Sequence, residues 1–169
     1  MRGIRENLIY DAKGCIIGKA KGLWVFFDIK RKRPVQIFDD IIEKWGTFEE
    51  ECINHDISTK IETIDSGAYA KEFQINRFDV DTNLHVNNIR YLQWMIESMP
   101  KDITDNYDLS YIDGRFIAEA LYGDTILSYS EMDVNDHSFA HTIKTKGNNK
   151  DCATARTKWR ERKTKSNSQ

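Results

Sequence analysis

The sequence has no apolar run approaching the roughly 20 residues that a membrane-spanning helix needs. Its first residues, Met1-Arg2-Gly3-Ile4-Arg5-Glu6, lack the apolar stretch of a secretory signal and the Arg/Ser richness of an organelle transit peptide. A cytoplasmic protein is expected on that basis. Cysteine is sparse: Cys15, Cys52 and Cys152 are odd in number, far apart, and form no Cys-x-x-Cys pair. That argues against a disulfide framework and a zinc site, so buried or inert thiols are expected. Net charge is nearly absent too. With 25 Lys+Arg against 27 Asp+Glu the formal balance is −2, which gives no global bias toward nucleic acid or membrane. The local basic clusters, Lys30-Arg31-Lys32-Arg33 and the tail from Lys158 to Lys165, read first as solvated turns or ends, with docking of an acidic partner as the alternative. His55, His137 and His141 form no ligand set with a carboxylate. His137 and His141 are four apart, but in strand and turn sequence, where they would not converge as on a helix. No metal or cofactor is expected, and solvated histidines are.

What is present is a globular composition, 40% hydrophobic and 31% charged over 169 residues, enough for one domain or one and a half. Two stretches share a pattern. From Leu8 to Asp28 a strand leads through the turn Asp11-Ala12-Lys13-Gly14 into a long second strand ending in Leu23-Trp24-Val25-Phe26-Phe27. From Ala140 to Arg160 a strand leads through Lys146-Gly147-Asn148-Asn149 into another, ending in Trp159. Each turn carries Lys-Gly, and each second strand has an alanine four residues before its tryptophan (Ala20/Trp24, Ala155/Trp159). This is the trace a tandem repeat leaves, with the front of the first copy missing.

The expected organisation is a remnant over residues 1–46, a polar linker over 47–67, a complete domain over 68–163 and a polar tail over 164–169. In the first part, Asp39 is expected to cap a helix from Asp40 to Trp45 that stops at Gly46. In the second, Ala70 to Arg77 alternates with Phe73 and Ile75 on one face. Val86 to Met99 reads as the long helix, with Val86, Ile89, Leu92, Met95, Ile96 and Met99 as its apolar stripe and Pro100 as its stop. Strands are expected at Leu109–Glu119, Asp124–Asp133, Ser138–Thr145 and Asp151–Arg160. One helix followed by four antiparallel strands makes an α+β fold, a helix wrapped by a sheet.

The segment Asp79-Val80-Asp81-Thr82-Asn83-Leu84-His85-Val86-Asn87-Asn88 holds the candidate chemistry. Asp81, Asn83 and His85 are two apart in an extended loop, so their side chains can face one pocket. The helix start that follows offers unpaired N–H groups and the positive end of a dipole, which suit a developing oxyanion with a base beside it. Asx-rich loops before helices are also ordinary caps, and a lone histidine there is often solvated. The residues alone leave both readings open.

The longer string, Asp-x-Asn-x-His-Val-Asn-Asn followed by Tyr91 and Trp94, resembles the signature of acyl-acyl carrier protein (acyl-ACP) thioesterases at the start of the central helix of their second hotdog domain. Arg5 to Gly46, with Leu23-Trp24-Val25 and Arg33-Pro34-Val35, resembles the end of that family's first hotdog domain. Phe116 to Asp124 is similar to its strand carrying a catalytic glutamate ahead of a Gly-Asp turn. The resemblance implies a hotdog fold, one complete domain plus the C-terminal hairpin of a preceding one. It also implies hydrolysis of fatty acyl thioesters on acyl carrier protein in fatty acid biosynthesis. Asp81, Asn83, His85 and Glu119 are the implied catalytic set: His85 and Glu119 activate water, and Asp81 and Asn83 orient the site. The backbone N–H groups of Val86 and Asn87 are the candidates for polarising the carbonyl. Some relatives carry a cysteine after the glutamate; here Ala120 stands there, which favours attack by water. Relatives contain two full hotdogs. A chain keeping only the first one's final hairpin is expected to expose Trp24, Phe26 and Phe27, and to self-associate or take a partner that supplies the missing half. The alternatives are an acyl-CoA thioesterase and a non-catalytic hotdog acting in acyl binding or assembly.

Overall fold

The computed structural model describes residues 2–47, 50–82, 84–134 and 138–162. The chain divides into two compact units between Thr59 and Lys60.

The first unit is built on a hairpin of β1 (Arg2–Tyr10) and β2 (Ile16–Val25), paired antiparallel from Arg2↔Val25 to Tyr10↔Ile16. Asp11 closes it: its carboxylate accepts from the Lys13 and Cys15 amides, each at 2.8 Å, and its carbonyl accepts from Gly14. Two short strands, β3 (Phe27–Asp28) and β4 (Arg33–Pro34), pair next. Helix α1 follows at Asp39–Trp45, and its cap differs from expectation. Phe38 is the N-cap and makes no side-chain bond; Asp39 lies inside the first turn, where its charge complements the helix dipole. Gly46 ends the helix at φ +72°, a left-handed backbone that favours glycine, and its N–H returns to Ile42 O at 2.9 Å. Residues of the expected linker belong to both units. The Cys52 and Ile53 amides bond to Glu6, and Glu51 pairs with Lys21, whereas the Ile64 amide bonds to Thr142 and Asp65 pairs with Lys144. Trp24 and Phe27 are exposed, and Phe26 is half-buried, edge-on to Phe38. Cys15 and Cys52 are exposed thiols; Cys152, in the second unit, is buried.

The second unit is a hotdog. Strands β5 (Tyr69–Gln74), β6 (Tyr107–Phe116), β7 (Thr125–Asp133), β8 (Ser138–Thr145) and β9 (Asp151–Glu161) form one antiparallel sheet in the order β5-β7-β8-β9-β6. Gly67 lies so close to β7 that a Cβ there would stand 2.6 Å from Ser130 O. Helix α2 (Asn88–Glu97) packs on β7 and β8. It is shorter than the expected Val86–Met99, because Val86 bridges to Val80 and Asn87 becomes the N-cap, accepting from the Ile89 amide. The buried stripe is also rotated. Tyr91, Trp94 and Met95 are its core, continued by Ser98 and Met99, while Ile89 is 52% exposed. Aromatic rings carry this face: Trp94 lies edge-on to Tyr91 at 5.7 Å and against Phe73 at 6.0 Å. Pro100 does not simply stop the chain but N-caps a further short helix, α3 (Lys101–Asn106). The strand expected to reach Glu119 ends at Phe116, which leaves Glu119 in a loop.

His141 is not solvated. It is fully buried beneath α2, with Nδ1 2.9 Å from Ser130 Oγ and Nε2 2.8 Å from Thr157 Oγ1. The direction of the chain of bonds follows from its ends. The Met95 carbonyl can only accept, so Ser98 gives its proton there, Ser130 donates to Ser98, and Ser130 in turn accepts from His141 Nδ1–H. With the proton on Nδ1, Nε2 accepts from the Thr157 hydroxyl, which itself accepts from Trp159 Nε1–H. The imidazole is therefore neutral with its proton on Nδ1, and burial pushes its pKa down to about 4. His137 lies outside the described residues.

Candidate active site

Residues 79–88 form a tight strand-to-helix corner. The Asp81 amide donates to His85 O at 2.8 Å and the Asn87 amide to Asp79 O at 2.9 Å, the two bonds that flank the Val80–Val86 bridge. Between them the Asp81 carboxylate accepts from the His85 amide at 3.1 Å. Leu84 sits at φ +65°, a strained backbone for a leucine. Beneath the corner, Asp79 is 3% exposed. One of its oxygens accepts from the Asn76 amide at 2.7 Å, and the other lies 2.6 Å from Arg90 Nη2. This ion pair, buried on the Asp79 side and partly exposed at Arg90, ties the corner to the first turn of α2. Asp79 and Arg90 were not among the candidates from sequence, although their spacing, an acid eleven residues before a base on the next helix, was visible there.

Opposite the corner runs the loop 117–124. It brings Glu119 Oε1 to 3.3 Å from His85 Nδ1, and both side chains are more than half exposed. The pair stands on the wall of a cleft of about 480 Å³, lined also by Asp81, Asn88, Tyr91 and Phe116. Val86 and Asn87 line it too. Of the six residues expected at the site, five are therefore brought to one cleft; Asn83 lies outside the described residues. One assignment changes. The Asn87 amide is already given to Asp79 O, so it is not free to polarise a carbonyl. Tyr91 reaches the cleft from the core: it is 3% exposed, and burial pushes its phenol pKa up. Among the described residues no cysteine lines the cleft, and no group of three His, Cys, Asp or Glu side chains is placed to hold a metal. Among the same residues no helix is long and apolar enough to cross a membrane.

Residues 61–161, the whole sheet and the corner with its cleft, match the family profile of the acyl-ACP thioesterase C-terminal domain. The chain belongs to the acyl-ACP thioesterase family. It is 24% identical over 192 residues to the chloroplastic oleoyl-acyl carrier protein thioesterase 2 of Arabidopsis thaliana, an alignment covering 94% of this chain and 52% of that protein. It is 27% identical over 144 residues to the oleoyl-acyl carrier protein thioesterase of Coriandrum sativum, covering 78% of this chain and 38% of that protein. Among solved structures, the 12:0-ACP thioesterase of Umbellularia californica superposes with a TM-score of 0.78 at 20% identity, over 95% of this chain and 63% of that one. An acyl-ACP thioesterase from Bacteroides thetaiotaomicron gives 0.76 at 18% identity, over 94% and 63%. The chain thus spans about half the length of the plant acyl-ACP thioesterase of Arabidopsis, while matching the fold of these family members along nearly all of its own length.

Proposed function

We propose that this chain is a thioester hydrolase that releases free fatty acid from acyl-ACP by attack of water, with Asp81, Asn83, His85 and Glu119 as its catalytic set. The observation that carries the reading is the His85–Glu119 contact on the wall of an open cleft, in a member of this family. Glu119 accepts a hydrogen bond from His85 Nδ1–H, which leaves the Nε2 lone pair for water. As water oxygen bonds to the thioester carbon, its proton passes to Nε2 and the carbonyl becomes an oxyanion. Collapse of the tetrahedral intermediate breaks the C–S bond, and the departing thiolate takes the proton from the imidazolium. Asp81 holds the His85 backbone through its amide. In this reading Asn83, two residues from both Asp81 and His85 in the sequence, helps orient the site. Val86 remains the candidate for polarising the carbonyl, because the bridge leaves its N–H turned away from Val80.

Release of free carrier thiol from acyl-ACP tests the proposal. Turnover by the wild type that drops ~10²–10⁴-fold in His85→Ala supports it. A folded wild type without turnover contradicts it. Turnover confined to acyl-CoA, with none on acyl-ACP, would instead favour coenzyme A as the carrier.

A further inference from the structure

We propose that Tyr91 is the positioning residue that holds Glu119 against His85; this rests on the reading of the cleft given above. Glu119 and His85 are each more than half exposed, so side-chain packing does not fix their 3.3 Å contact. The carboxylate is placed by the backbone it hangs from, in a loop with no regular structure. That loop is pinned at its start, where the Ile117 and Ala118 amides both reach Cys152 O, at 2.8 and 3.2 Å. It is pinned again at its end, where Gly123 N–H bonds to Ile75 O and the Leu121 amide to Asp124 Oδ2. Between these anchors the Ala120 amide donates to the Tyr91 hydroxyl at 3.1 Å. A further tie on this stretch is a long contact, 3.4 Å, from Lys150 Nζ to Glu119 O.

Ala120 is fully buried and Tyr91 nearly so, so removing the hydroxyl leaves the Ala120 amide without its acceptor where water has little access. Tyr91 is the fourth residue of α2, the helix that begins three residues after His85. Its bond closes a ring that runs from His85 through the helix start to Tyr91, across to Ala120, and back through Glu119. Without the hydroxyl the buried amide must seek another acceptor, and the adjacent Glu119 moves with it. A displacement near 1 Å at such a pair is enough to cost ~10²-fold in rate.

The test uses nuclear magnetic resonance of the His85 ring, without substrate, in wild type, Tyr91→Phe, Glu119→Gln and the double variant. Tyr91→Phe keeps the ring that fills the core. We expect both single variants to move the His85 ring signals in the same direction, with the double variant no different from either. We also expect the Ala120 amide to exchange at least ~10-fold faster in Tyr91→Phe while sheet amides are unchanged. His85 signals that stay in place in Tyr91→Phe but move in Glu119→Gln would overturn the proposal, as would shifts that add in the double variant. In turnover, Tyr91→Phe should lower kcat ~10–100-fold at constant KM, and an unchanged kcat would overturn it as well. A wild type lacking turnover would sink the hydrolase reading, while the ring signals would still decide the role of Tyr91.

Discussion

The second unit holds two described histidines in opposite settings. His141 is sealed under α2 with both ring nitrogens taken by hydroxyls and no exposed surface. His85 stands about half exposed at the mouth of a cleft, with a carboxylate on Nδ1. The first is locked into one tautomer by a directed chain of donors that ends on a backbone carbonyl. Among the described residues the second has its partner on one nitrogen only, which suits the proposed role of giving and taking a proton. Residue type is the same in the two places; the hydrogen-bond partners and the access to water differ, and the role proposed for His85 rests on that difference.

The comparison can be broken at either end. Glu119→Gln removes the charge that, in the proposed mechanism, orients His85 and stabilises its protonated form. Thioester turnover should fall ~10²-fold or more, with thermal stability unchanged, since the side chain is exposed. A variant with wild-type turnover would separate the two residues functionally. His141→Leu should leave the chemistry intact but strand the Thr157 hydroxyl in the core. Denaturant unfolding should then show a loss of about 2–4 kcal/mol.

Acid should distinguish the sites too. The folded value of His141, about 4, lies below the ordinary 6.5, so the unfolded chain binds a proton that the native chain refuses in this range. The stability it contributes is fully present above pH 6.5 and is lost as pH falls toward 4, up to about 3 kcal/mol in all. Unfolding curves between those pH values should steepen this way in the wild type and flatten in His141→Leu. Asn87→Ala, which removes the cap of α2, should cost about 1 kcal/mol. Smallest of all, Ile89→Ala should change stability by about 0.5 kcal/mol or less, because the helix turns that position outward. A larger loss would restore the aliphatic stripe expected from sequence.

What was legible in the sequence was local. The turn at Asp11–Gly14 is made by one side chain and its near neighbours, and the strand Ser138–Thr145 falls at its expected bounds. The string around His85 is contiguous, so its gathering at one corner could be anticipated. The misses are long-range. The burial of His141 depends on Ser130 and Thr157, on two other strands, and nothing in a strand reading Ser-Phe-Ala-His-Thr marks it. The strand before Glu119 ends early because the Ile117 and Ala118 amides turn together onto Cys152 O, far along the chain. The stripe of α2 was legible in part: Val86, Met95 and Met99 are buried as expected, but Tyr91 and Trp94, and not Ile89, complete the buried face. Glu119 itself came from family resemblance, since no local pattern links it to His85 across more than thirty residues.

The measurement that tests the account most directly sets the two histidines side by side: thiol release from acyl-ACP, and thermal unfolding, for wild type, His85→Ala and His141→Leu. The account predicts turnover in the wild type, its loss in His85→Ala at unchanged stability, and retained turnover per folded molecule in a destabilised His141→Leu. Equal turnover in His85→Ala and wild type would contradict it.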